Sequence, residues 1–107
     1  MCQEMKTVPD EQHRYLEEIE IVLRRSLGNR RYRIYLFGSR ATGRHTPSSD
    51  FDVAVLAQDP IGKELSLARE RLEQSNIPLK VDLIELREAS QSIIDQAEKD
   101  GVLLCSN

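Results

Sequence analysis

With 107 residues, the chain has the length of one domain, and we expect a single domain over residues 1–107 that lacks room for a second substrate-binding lobe. Its 15 Lys and Arg against 18 Asp and Glu give a net charge of −3, which argues against nucleic-acid binding by bulk electrostatics. Cys2 and Cys105 lack metal-ligand spacing, and the sequence has neither a signal peptide nor an apolar run of membrane-spanning length, so we expect free thiols, no membrane contact and a cytoplasmic location.

The first predicted elements are a helix and a strand. Thr7–Asp10 has the form of a helix start, and apolar residues then recur at helical spacing until Gly28. From Arg31 to Phe37 the apolar residues alternate between two faces, which is typical of a strand. A polar stretch follows Gly38, and we expect it to open with a short helical turn.

The second half of the chain predicts a strand, a helix and another strand. The strands cover Phe51–Ala57 and Leu79–Leu86, and apolar residues at helical spacing run between them from Ile61 to Leu72. A last helix ends at Gly101 and is followed by an apolar tail, Val102–Cys105. The strand-helix-strand unit allows parallel neighbours. We therefore expect an α/β (α+β) fold with a small mixed sheet flanked by helices.

Three aspartates lie at or within the predicted strands. Asp50 and Asp52 point to the same strand face, about 7 Å apart along the chain. Asp82 lies inside the third strand, where burying an unpaired charge would cost several kcal/mol. Carboxylates are ligands that Mg²⁺ prefers, and three of them could hold two ions for an in-line phosphoryl or nucleotidyl displacement. In the alternative, Asp50 caps a turn and the other two pair with basic side chains. Those basic candidates are Arg33, Arg40 and Lys80.

The turn at Gly38 and Ser39 is a candidate phosphate site. Backbone N–H groups at such a turn can face an anion, and the Ser39 hydroxyl adds a donor. Glycine lets the backbone approach a phosphate without a Cβ in the way. Arg40 and Arg44 could add charge-assisted contacts. Taken alone, Gly-Ser is equally typical of an ordinary turn after a strand.

Together these features form one pattern: Gly38-Ser39, ten residues, Asp50-Phe-Asp52, and then Asp82 in a later strand. The pattern resembles that of the DNA polymerase beta-like nucleotidyltransferase superfamily. Within it, the chain is similar to the minimal nucleotidyltransferases that accompany HEPN toxins in toxin-antitoxin pairs. The resemblance covers nearly the whole chain and implies that superfamily's fold, a small mixed sheet flanked by helices.

The resemblance also implies a role for each motif residue. Gly38 and Ser39 would hold the triphosphate of ATP, and Asp50 and Asp52 would bind two Mg²⁺ ions. Asp82 would complete the site and help to activate the attacking hydroxyl. The implied reaction transfers AMP from ATP to a tyrosine of a HEPN ribonuclease toxin, which is thereby silenced.

Other functions stay open at this point. A non-catalytic antitoxin could neutralise the toxin by covering it, for instance with the tail Val102–Cys105, and a small-molecule nucleotidyltransferase of the antibiotic-modifying kind would need a second lobe. Arg30, Arg31 and Arg33 could contact ATP or an acidic partner, or they could deter aggregation at a strand edge. The sequence leaves undecided which nucleotide is used and whether homo- or hetero-oligomers form.

Overall fold

The computed structural model describes residues 10–38 and 50–106, which form a mixed sheet with helices on both faces. Within this part of the chain there are three α-helices and four strands. In chain order these are α1 (Asp10–Leu27), β1 (Tyr32–Phe37), β2 (Phe51–Ala57), α2 (Gly62–Glu73), β3 (Val81–Glu85), α3 (Gln91–Asp100) and β4 (Val102–Ser106). A short 3₁₀ turn, Leu86–Glu88, follows β3. The three longer predicted helices and the three predicted strands are confirmed, with β3 shorter than the predicted range 79–86. The helix start expected at Thr7 and the short helical turn expected after Gly38 lie outside the described residues.

The strands are arranged in the order β3-β2-β1-β4. β2 runs parallel to β3, whereas β1 is antiparallel to both β2 and β4, so the expected mixed sheet is confirmed. Val102–Cys105 was expected to be an apolar tail, and this is wrong because the segment pairs with β1 as an outer strand of the sheet. Leu104 and Cys105 are buried there. Five residues show too little periodicity to predict a strand that depends on a distant pairing partner.

The two faces of the sheet have separate cores. α1 and α2 cover one face, with apolar residues one helical turn apart pointing at the sheet, such as Leu16, Ile19 and Leu23 on α1. α3 covers the other face, where Ala97 packs in a cluster with Ala54 of β2. No helix in the described residues is both long enough and apolar enough to cross a bilayer. This layering leaves the ends of the strands as the places where polar side chains gather.

The start of α2 is anchored by charged side chains from elsewhere in the fold. Glu85, at the end of β3, accepts a hydrogen bond from the backbone N–H of Ile61 at 3.0 Å. Arg30 donates to Oε2 of Glu64 at 3.0 Å. Arg30 therefore connects the segment before β1 to α2. This ion pair gives Arg30 a structural role in the fold.

Cys105 is disulfide-bonded, so the expectation of free thiols is wrong for this residue. Its side chain is buried in β4. Cys2 lies outside the described residues. Because the sequence does not indicate that residues 102–106 return to the sheet, cysteine spacing alone gave no sign of a bond at this position.

Candidate active site

Asp52 and Asp82 lie side by side on neighbouring strands. They are register partners in the parallel pairing of β2 with β3, and strands in a sheet are about 4.8 Å apart. Both side chains project from the sheet face that α3 covers, because Asp52 lies on the same strand face as Ala54 and Asp82 is its register partner. Both aspartates are half-buried. Asp50 is exposed and precedes β2 by one residue. The fold therefore brings two of the three predicted carboxylates together and places the third at the entrance to the same strand.

The carboxylate of Asp52 experiences both burial and repulsion. Burial is the main cause that raises its pKa, the negative charges of Asp82 and then Asp50 raise it further, and Lys80 opposes them. Each of these carboxylates is thus close enough for its charge to act on Asp52. A cation at this place would relieve the repulsion.

Lys80 is the basic side chain that contacts the cluster among the described residues. Its Nζ atom lies 3.5 Å from Oδ1 of Asp82, with 70% of the lysine and 41% of the aspartate side chain exposed. Of the structural pairings considered from sequence, this one is present. Arg33 stands opposite Leu56, four residues along β2 from Asp52, so it is about 13 Å from the acids by strand rise. Arg40 lies outside the described residues.

Gly38 lies directly against Asp52. Its φ angle is +74°, and a Cβ atom built on it would overlap Oδ2 of Asp52 and lie 3.3 Å from its Cγ. A residue with a side chain would therefore be strained in its backbone and would displace the carboxylate. Sequence reasoning explained this glycine by phosphate access, and the structure adds its contact with Asp52. Ser39, Arg40 and Arg44 lie outside the described residues.

The chemistry of the acidic cluster fits a divalent metal ion. Among residues 10–38 and 50–106, no three His, Cys, Asp or Glu side chains already stand at coordinating positions around one point. Asp50, Asp52 and Asp82 nevertheless offer carboxylate oxygens, which hard cations such as Mg²⁺ prefer. Their mutual repulsion, seen in the raised pKa of Asp52, is what a bound cation would remove. Binding would require the three carboxylates to move closer around one point.

Two carboxylates on adjacent parallel strands, with a glycine turn against one of them, agree with the nucleotidyltransferase pattern that the sequence resembles. The chain matches the family described as Polymerase beta, Nucleotidyltransferase over residues 29–107, and it belongs to that family. The match starts before β1 and includes β4, so it covers the whole sheet.

Two relatives carry the name of a protein adenylyltransferase. The chain is 41% identical over 71 residues to the protein adenylyltransferase MntA of Shewanella oneidensis, covering 64% of this chain and 49% of that protein. It is 31% identical over 77 residues to the probable protein adenylyltransferase MntA of Haemophilus influenzae, covering 68% of this chain and 65% of that protein. The chain thus spans about half to two thirds of the length of these relatives.

Solved structures of similar fold come from toxin-antitoxin complexes. A crystal structure of a toxin-antitoxin with AMP-PNP has a chain 33% identical to this one with a TM-score of 0.69, covering 85% of this chain and 73% of that chain. A complex of the tri-AMPylated Shewanella oneidensis HEPN toxin with the MNT antitoxin gives 29% identity and a TM-score of 0.69, covering 90% of this chain and 73% of that chain. The predicted polymerase beta-like nucleotidyltransferase fold is confirmed by these similarities.

Proposed function

We propose that this protein is a Mg²⁺-dependent nucleotidyltransferase that moves AMP from ATP to a hydroxyl of a partner protein, a tyrosine of a HEPN ribonuclease toxin, and so acts as the antitoxin. The observation that carries the proposal is the adjacency of Asp52 and Asp82 on parallel strands, with Gly38 against Asp52. The names of the relatives support AMP as the transferred group. The AMPylated HEPN toxin in a similar complex supports the partner and a hetero-oligomer with it.

The carboxylates have two tasks in this proposal. Asp50 and Asp52 hold the metal, with two Mg²⁺ ions as the proposed number, and Asp82 completes the site. When bound, Mg²⁺ supplies charge stabilisation for the phosphate oxygens in an in-line displacement. The raised pKa of Asp52 supports this assignment, because close carboxylates repel one another until a cation is present.

The transfer is a displacement at the α-phosphorus of ATP. The partner's hydroxyl oxygen forms a bond to that phosphorus, the bond from the phosphorus to the bridging oxygen breaks, and pyrophosphate leaves. Asp82 accepts the proton of the attacking hydroxyl, which makes the oxygen a better nucleophile. Its half-exposed position supports this role, since a protein hydroxyl must reach it from outside.

Gly38 and Ser39 hold the triphosphate in this proposal, and Arg40 and Arg44 add charge-assisted contacts to its oxygens. The place of Gly38 at the end of β1, beside Asp52, supports it: phosphates held at this turn would lie next to the carboxylates. Base recognition has no assigned residue. The phosphate contacts alone would accept any nucleoside triphosphate.

A cytoplasmic location is part of the proposal, because ATP and a ribonuclease partner are available there. The disulfide at Cys105 is typical of an oxidising compartment and so conflicts with this location, which makes the location directly testable. Thiol counting on protein isolated from cells and alkylated at once should find both cysteines reduced if the protein acts in a reducing compartment. A blocked Cys105 in such a sample would argue for a different location.

The reaction can be tested with ATP labelled at the α-phosphate, Mg²⁺ and a HEPN-domain toxin. We expect label on the HEPN protein, and none with EDTA or with the double variant Asp50→Asn/Asp52→Asn. Asp59→Asn/Asp100→Asn is the matched control, because both aspartates are exposed and lie outside the site. Equal labelling by the site variant, or no labelling by the wild type, would refute the proposal. Toxin neutralisation that survives the site variant would favour an antitoxin that acts by binding alone.

A further inference from the structure

A second polar region lies at the end of the sheet opposite to the carboxylates. There a groove of about 640 Å³ runs beside the start of β1, the end of β2 and the 3₁₀ turn. Three arginines line it. Arg31 directly precedes β1, Arg33 lies in β1, and Arg87 lies in the 3₁₀ turn. We call this region the arginine groove. Sequence reasoning singled out Arg31 and Arg33 but missed Arg87, which is 54 positions from Arg33 and joins it only through the fold.

The charges of the arginine groove are not neutralised by the part of the chain that the structure describes. All three side chains are exposed, and none of the described lining residues is acidic. Arg87 donates to the backbone carbonyl of Gln58 at 2.6 Å, which fixes its guanidinium without cancelling its charge. No described carboxylate forms an ion pair with any of the three. In a chain of net charge −3, this is a local concentration of positive charge that suits an anionic ligand.

The floor of the groove favours a protein segment over a nucleic acid. Leu56 is half-buried and lines the groove together with the buried Tyr32 and Ala57. Arginine next to a partly exposed apolar side chain is common at protein interfaces, where the planar guanidinium matches a carboxylate in a two-point contact. The volume of about 640 Å³ is enough for several side chains. No aromatic ring is exposed among the described lining residues for a base to stack on, since Tyr32 is buried.

We propose that the arginine groove docks an acidic segment of the protein whose hydroxyl is modified, with two or more Asp or Glu side chains facing the three guanidinium groups. The identity of that protein rests on the proposed function, whereas the chemistry of the groove does not. Arg33 and Asp52 are separated by about 13 Å along the sheet by strand rise. A segment held in the groove would therefore leave the ATP site open while it keeps the partner close.

A fluorescein-labelled hexaglutamate peptide tests the groove directly, by fluorescence anisotropy with the full chain. We expect binding that weakens with added salt and about a tenfold higher Kd for Arg31→Gln/Arg33→Gln. These two arginines make no described hydrogen bond or ion pair within the chain, so the variant should keep its unfolding midpoint. Arg25→Gln/Lys63→Gln is the control, because it removes the same charge from exposed positions outside the groove. Equal Kd values for the two double variants would overturn the proposal.

Two further measurements identify the class of ligand and its use. A six-nucleotide single-stranded DNA that displaces the labelled peptide at lower concentration than unlabelled hexaglutamate would overturn the assignment to a protein segment. In the AMP-transfer assay, the groove variant should raise KM for the HEPN partner about tenfold and leave kcat and KM for ATP unchanged. Normal AMP transfer without peptide binding would refute the docking proposal and leave the proposed function standing. Peptide binding without any transfer would refute the proposed function and leave the groove standing.

Discussion

The two ends of one sheet face carry opposite charges. At the end where β2 and β3 begin, Asp52 and Asp82 are register partners, and Asp50 lies nearby. Among the described residues, Lys80 is the basic side chain that forms an ion pair there, with Asp82. At the other end, Arg31 and Arg33 line a groove without an acidic partner among the described residues. Between the two ends, α3 covers an apolar stretch of the same face.

A carboxylate that serves the fold shows what distinguishes these ends. Glu85 also lies at the end of a strand, but it accepts the N–H of Ile61 at 3.0 Å and so has a partner inside the chain. For Asp52, burial is the main cause that raises its pKa, and the negative charges of Asp82 and Asp50 raise it further. Like charges that lie close together repel one another, so each of these two groups suits a ligand of the opposite sign.

The largest effect should come from Gly38→Ala at the acidic end. The positive φ would cost about 1–2 kcal/mol, and the clash of the new Cβ with Asp52 about as much again, so we expect the free energy of unfolding to fall by about 2–4 kcal/mol. AMP transfer should fall at least about tenfold, because the carboxylate must move. Urea denaturation and the labelled-ATP assay measure the two effects.

Gly28→Ala is the matched control for this change. Gly28 has a φ of +67°, but a Cβ there would meet nothing within 4 Å. This variant should lose only the backbone contribution of about 1 kcal/mol and keep full transfer activity. If both alanine variants lose the same stability and the same activity, the contact of Gly38 with Asp52 has no role of its own.

How far the sequence predicts this molecule differs between the elements. The alternation in residues 31–37 and 51–57 and the helical spacing of Leu16, Ile19 and Leu23 reflect burial on a single face, which is a local property, and those elements are confirmed. The strand Val102–Ser106 is held by its pairing with β1, almost 70 residues earlier, and local pattern missed it. The disulfide at Cys105 was missed for the same reason.

The two polar ends differ in the same way. The residues of the acidic end could be predicted, because Asp50 and Asp52 are only two positions apart in sequence and Asp82 interrupts an apolar strand. The strand-helix-strand connection allows β2 and β3 to be parallel neighbours. The register that pairs Asp52 with Asp82 is known from the structure. The arginine groove could not be assembled from sequence, because Arg87 follows β3 and reaches Gln58 after β2 only in the folded chain.

A smaller effect is expected from Glu85→Ala, near the basic end. This change leaves the Ile61 N–H at the start of α2 without its acceptor, and we expect the free energy of unfolding to fall by about 1–2 kcal/mol. Glu85→Gln keeps a carbonyl oxygen and should lose less than half of that amount. Thermal unfolding followed by circular dichroism compares the two. The exposed Glu88 provides the control, since Glu88→Ala should change little, and an equally destabilised Glu88 variant would contradict this role of Glu85.

The smallest effect, and the one that separates function from stability most clearly, is expected from Asp52→Asn. Because the pKa of Asp52 is raised by burial first and by Asp82 and Asp50 next, the folded state holds this proton more tightly than the unfolded chain does. The free energy of unfolding of the wild type should therefore fall as the pH rises from the ordinary carboxyl range through the raised pKa, and stay lower above it. The variant lacks this decrease. Near pH 7 without metal it should be more stable than the wild type by less than about 1 kcal/mol, since the half-exposed site is screened by solvent.

Added Mg²⁺ should make the wild type more stable than the Asp52→Asn variant. An ion that binds the folded state raises its stability, and Mg²⁺ should bind the variant less well because one carboxylate is missing. Urea denaturation over a pH series, with and without Mg²⁺, measures both effects. Asp59→Asn should follow the wild type under all conditions, since Asp59 is exposed and outside the acidic end. A variant less stable than the wild type at pH 7 without metal would show that Asp52 is compensated within the chain. Asp52 would then stabilise the folded chain, as Glu85 does, and the acidic end would no longer be a group of uncompensated charges like the arginine groove.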